Sequence, residues 1–158
     1  MIASSITYGS AGLRLSTKDG KPAMTEAWKN PQLTSYFTTP VAVGKEHLYL
    51  VTGTPPGFGG RGTPPQASLH CVEVATGKVL WTHEKVGRYH AALLRTGDGK
   101  LLMLEDQGDL VLIDPSPKEY RELARSKACG ATWSHAAFAD GRLYLRDDKE
   151  IICLRLGE

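Results

Sequence analysis

Two histidines share a chemical context. His90 lies in RYHAAL and His135 in WSHAAF, 45 positions apart, and each follows an aromatic residue, Tyr89 or Trp133, within two positions. Imidazoles beside aromatic rings suit a metal ion or an anionic ligand. A metal site needs at least three converging ligands, and no third is evident at this place. The alternative is a repeated structural position at which a histidine hydrogen-bonds a neighbouring element. Thr39, before Pro40, is the counterpart one unit upstream. His47, His70 and His83 fall inside strand-like runs and read as surface or packing positions.

The other reactive residue types form no set. Cys71, Cys129 and Cys153 are odd in number and match no CxxC spacing. Cys71 and Cys153 sit in apolar runs and read as buried structural thiols. Asp19, Asp98, Asp109 and Asp140 lie in Gly-containing turns, where carboxylates cap local backbone groups. The segment 54–67, TPPGFGGRGTPPQA, carries Phe58 and Arg61 as its only large side chains and could serve recognition. GFGGRG lacks the Lys-Ser/Thr of a phosphate-cradling loop, and no helix follows it. No Ser-His-Asp or Cys-His pair can be proposed from spacing alone.

Composition narrows the class. The chain has 158 residues, 41% hydrophobic and 23% charged, with a formal net charge of +2. That charge is small and scattered, which argues against nucleic acid. No apolar run approaches the roughly 20 residues of a membrane-spanning helix. The opening MIASSITYG has neither the basic flank nor the apolar stretch of a signal peptide.

The elements that must position these residues are strands. Runs of four to seven residues, among them HLYLVTG (47–53), KLLMLED (100–106) and RLYLRD (142–147), are divided by Gly-containing turns such as DGK and ADGR. The best helix candidate by composition, 115–127, carries two prolines and reads as turn plus strand. One plan recurs: two strands about a Gly turn, a third strand, then a fourth. Glu73, Asp114 and Arg155 hold matching places in the third strand, 41 residues apart each time. A period in the low forties with four strands per unit predicts a partial β-propeller. The units are 1–30, lacking a first strand; 38–87, with the 54–67 insertion; 88–130; and 131–158, lacking a last strand. Together they make an all-β array of about three and a half four-stranded antiparallel blades.

The segment CVEVATGKVLWTHEKVG (71–87) resembles the PQQ-like, or quinoprotein-type, propeller repeat, with Thr76-Gly77-Lys78 as its turn and Trp81 as its tryptophan. Asp19-Gly20-Lys21 with Trp28 is a looser copy, and PSPKEYREL has neither Gly nor Trp. The resemblance implies sheets about a central channel, with Trp28 and Trp81 docked between neighbouring blades. It places the chain beside bacterial PQQ-like propellers, including scaffolds similar to the outer-membrane assembly lipoprotein, and implies a periplasmic or extracytoplasmic location. Quinoprotein dehydrogenases hold PQQ with calcium, but none of their ligand set carries over to this chain, so PQQ would need a site supplied by further blades. The expectation is a fragment of a larger propeller that acts as a binding or scaffold module for a protein partner or the remaining half. Part of a quinoprotein-like oxidoreductase, or a small-ligand or carbohydrate binder using His90, His135, Tyr89 and Trp133, are the alternatives. Open blade faces and unpaired edges also predict self-association.

Overall fold

The computed structural model describes residues 1–35, 37–53 and 65–156. Phe58 and Arg61 lie outside the described residues. Fourteen strands form four antiparallel sheets, and no helix occurs among the described residues. Among those residues no helix is therefore long and apolar enough to cross a membrane. The first sheet is β1 (Ile2–Ser5), β2 (Gly9–Lys18) and β3 (Lys21–Asn30). The second is β4 (Val41–Val43), β5 (His47–Gly53), β6 (Ala67–Glu73) and β7 (Val79–Glu84). The third is β8 (Ala91–Arg95), β9 (Leu101–Glu105), β10 (Asp109–Ile113) and β11 (Glu122–Lys127). The fourth is β12 (Ala137–Ala139), β13 (Arg142–Arg146) and β14 (Ile151–Arg155). Within each sheet the strands pair in chain order. The chain is thus all-β, a partial propeller-like array of three-, four-, four- and three-stranded sheets.

Local chemistry explains the hairpins. Asp19 and Asp140 take φ of 52° and 50°, and the glycines after them take 73° and 71°. Two successive positive φ values make the tight turn whose twist matches the flanking strands, and Asp-Gly tolerates both.

The stacking of sheets explains the nearly unbroken apolar strands. In β5, Leu48 and Leu50 face the first sheet and join Leu33, while Tyr49 and Val51 face the third. In β9, Leu101 and Met103 pack toward the second sheet, and Leu102 and Leu104 pack with Leu143 and Leu145 of the fourth. A strand covered on both faces is apolar at every position rather than at every second one. β13, covered on one face, alternates instead: Leu143 and Leu145 are buried, and Arg142, Tyr144 and Arg146 are exposed.

The repeat is visible in the register. The pairing of third and fourth strands slips at one place in three sheets: Gly12/Leu13, Cys71/Val72 and Leu112/Ile113. Opposite the first residue of each pair stand Trp28, Trp81 and Ala124. Both indoles reach the next sheet. Trp28 Nε1 donates to the Val74 carbonyl at 2.8 Å, and Trp81 Nε1 donates to the Ser116 carbonyl at 2.8 Å. A Cβ on Gly12 or Gly77 would lie 2.2 or 2.4 Å from the Trp28 ring, so these two glycines are the slot it occupies. Trp81 packs edge-on against Tyr49 and Tyr120 at centroid distances of 5.9 and 6.2 Å.

One histidine that reads as a packing position does more. On β6, His70 bridges three strands of the second sheet, Nε2 to Thr52 Oγ1 at 2.8 Å and Nδ1 to Thr82 Oγ1 at 2.9 Å. Burial pushes it down to about 4. Burial also lowers His83 and His90. A histidine whose folded value lies below its unfolded value takes up its proton first in the unfolded chain. Its full contribution is present above about pH 6.5 and is lost as pH falls toward 4. From His70 the loss is about 2 kcal/mol. Urea unfolding of wild type and His70→Gln at pH 7 and pH 4.5 is expected to show a smaller acid loss in the variant, by about that amount. Parallel profiles would remove His70 from the account.

Candidate functional site

The predicted ligand residues converge. Each sheet after the first is entered by a connector from the last strand of the sheet before it, and the three connectors meet at one end of the array. Phe37 comes from the connector before β4, Tyr89 and His90 from the one before β8, and Trp133 and His135 from the one before β12. The Trp133 ring lies 4.9 Å from Phe37, 5.3 Å from His90 and 5.5 Å from Tyr89, centroid to centroid. Phe37 lies 5.7 Å from His90. The Arg88 guanidinium sits 5.1 Å from the Tyr89 ring centroid. His135 hydrogen-bonds through Nε2 to the Phe37 carbonyl at 2.8 Å, linking the connectors of the second and fourth sheets. The reading of each histidine as a partner to a neighbouring element is thus met by His135.

His90 differs. It is 3% exposed, and among the described residues neither ring nitrogen has a hydrogen-bond partner. Burial holds the imidazole toward its neutral form, and nearby His135 pushes the same way. Asp106 and the Thr132 backbone oppose that, though no hydrogen bond of normal geometry reaches the ring.

The residue that organises the cluster is Asp106, which follows β9 and is 1% exposed. Its carboxylate accepts from the backbone N–H groups of Arg88 at 2.9 Å, Tyr89 at 2.6 Å and His90 at 3.4 Å. Its own N–H donates to the His90 carbonyl, and its carbonyl accepts from the Thr132 N–H at 2.9 Å. Gly87 has φ of 132° and passes so close that a Cβ there would lie 2.6 Å from the His90 carbonyl oxygen. Thr38 Oγ1 donates to the Ala91 carbonyl at 2.6 Å and fixes the Phe37 side of the cluster. In the next unit Asp147, 41 positions on, accepts from the Gly130 N–H at 2.8 Å. Sequence reading singled out the turn aspartates and passed over this pair. The 41-residue spacing of Asp106 and Asp147 was the available signal.

Exposure defines what the cluster can do. Trp133 is 49% exposed and Phe37 39%, whereas His90 beneath them is buried. An aromatic platform rests on a hydrogen-bonded frame. Trp133 packs on one side and faces outward on the other. Among the described residues no three His, Cys, Asp or Glu side chains converge to hold a metal ion.

Of the remaining candidates, Cys129 lies in the connector before β12, and the others lie on strands or in hairpin turns. All three cysteines are free. Cys71 and Cys129 are buried, and burial raises both thiols above the usual range, which makes them poor nucleophiles. Cys153 corrects the sequence reading: it is exposed, because β14 turns Ile152 and Leu154 inward and Ile151 and Cys153 outward. Asp98 is held by the Thr96 hydroxyl in its turn, and Asp109 opens β10.

These sheets and their connector-end cluster define a repeat-built all-β array with an aromatic surface. No protein-family model matches the chain, and no curated protein matches it.

Proposed function

We propose that the chain is a non-enzymatic binding or scaffold module, a portion of a larger PQQ-like propeller, and that the connector end is its recognition surface. The observation that carries this reading is the half-exposed Trp133 and Phe37 pair fixed on a buried frame. Large aromatic rings held rigid at a surface lose little entropy on binding and are enriched at the centres of interfaces. The rings here are positioned by Asp106, Thr38 and His135, none of which needs to move for the platform to form. The partner is another protein or further sheets of the same propeller, and the resemblance to PQQ-like scaffolds puts the setting outside the cytoplasm.

A photoreactive residue placed at position 133 is expected to cross-link one protein partner. Binding of that partner is then expected to weaken about tenfold or more in Trp133→Ser, with the melting temperature nearly unchanged. Stoichiometric uptake of PQQ with calcium, seen by absorbance and a raised melting temperature, would replace this reading with a quinoprotein one. An oligosaccharide whose affinity falls when His90 and His135 are both changed to Ala would replace the protein partner with a small ligand.

A further inference from the structure

We propose that the gap between the third and fourth sheets is a binding site for a flat, indole-sized aromatic molecule. The inference rests on the repeat and not on the connector end. Three sheets share the same register slip, and the residue facing it from the fourth strand is Trp28, Trp81 and then Ala124. In the first two, an indole reaches across toward the next sheet and its N–H meets a carbonyl there. In the third, the side chain stops at a methyl group. A cavity of about 530 Å³ opens at that place, walled by Leu102, Leu110, Leu112, Ala124, Phe138 and Leu156.

The walls specify the ligand. They are chiefly aliphatic, and Phe138, 36% exposed, offers one aromatic ring to stack on. A flat ring system matches a gap between two sheet faces, as Trp81 does one interface earlier. Pockets of this volume take small organic ligands. The rim holds Thr96, Asp98 and Ser126, which can accept from an N–H or O–H on the ring edge. Arg125 and Arg155 both border the gap, as does the carboxylate of Asp98, and the Arg125 guanidinium is engaged by Glu105 and Glu122. With a cation and a carboxylate both on the rim, a neutral aromatic with an edge donor fits better than an anion. The gap between the first and second sheets also holds a cavity, about 580 Å³, but there Trp28 is itself part of the wall. The vacancy at the indole position belongs to the third sheet.

Indole is the probe. Ligand-observed NMR on the wild-type chain is expected to show saturable binding with a dissociation constant on the order of 1 mM, as suits so small a ligand. Intermolecular NOEs are expected to the Phe138 ring and the Leu112 methyls. Ala124→Trp, a change at an exposed strand position, is expected to weaken indole binding about tenfold or more and to raise the melting temperature by about 2–4 °C. Ala124→Ser is expected to bind as wild type does. Absence of saturable binding, NOEs to Trp133 and Phe37 instead, or undiminished binding by Ala124→Trp would each overturn the proposal. The NOE map decides the matter even if the tryptophan variant folds poorly.

Discussion

Asp106→Ala is expected to cost about 3–4 kcal/mol of stability, because a buried acceptor of several hydrogen bonds vanishes and leaves its donors unsatisfied. Three backbone N–H groups, those of Arg88, Tyr89 and His90, lose their acceptor at once. The site is 1% exposed, so water cannot replace the carboxylate without entering the core. Asp106→Asn should lose about 2 kcal/mol: one oxygen still accepts, but the amide presents N–H groups where the backbone already donates. Asp147→Ala is the control. Asp147 holds the equivalent place and accepts from Gly130, Lys149 and Glu150, yet it is only partly buried, and its loss should be clearly smaller. Urea unfolding gives the energies. Hydrogen exchange gives the location, with faster exchange expected first at residues 88–90. Equal losses in the two alanine variants would mean that burial adds nothing to the aspartate's role.

Much of this architecture could be read from residues alone. The run HLYLVTG is a strand over the same seven positions, His47–Gly53, because its limits are set by a Gly turn on one side and a Gly-Pro-rich stretch on the other. The segment after Pro115 forms strand Glu122–Lys127 and no helix, as its two prolines and the repeat predict. What stayed hidden depends on contacts between distant connectors. Phe37 meets Trp133 only because three sheets stack, and nothing in the sequence around Phe37 announces it. Asp106 looks like one more polar turn residue until the neighbouring connector folds over it. Cys153 failed for another reason. IICLR is apolar on both faces, so alternation alone cannot say which side is covered, and Ile151 ends 77% exposed beside it.

Trp81→Ala is expected to be as damaging as the loss of Asp106, by a different route. The indole is partly buried between the second and third sheets, against Tyr49 and Tyr120, and its N–H bonds the Ser116 carbonyl. Removing so large a ring from a packed gap costs about 3–4 kcal/mol through lost burial and the void left behind. Trp81→Phe keeps most of the area and loses the N–H, so about 1–2 kcal/mol is expected. The form of the transition should also change. In a stacked array each sheet touches only its neighbours, and cooperativity depends on those interfaces. Weakening the central one should let the two halves unfold at different urea concentrations, seen as a lowered apparent m-value and as probes that no longer coincide. A single sharp transition in Trp81→Ala, shifted no further than in Trp81→Phe, would show that the hydrogen bond and not the ring couples the sheets. The vacancy at Ala124 supplies the converse. If ring area is what couples neighbours, the third and fourth sheets are the loosest joined, and filling that slot should tighten them.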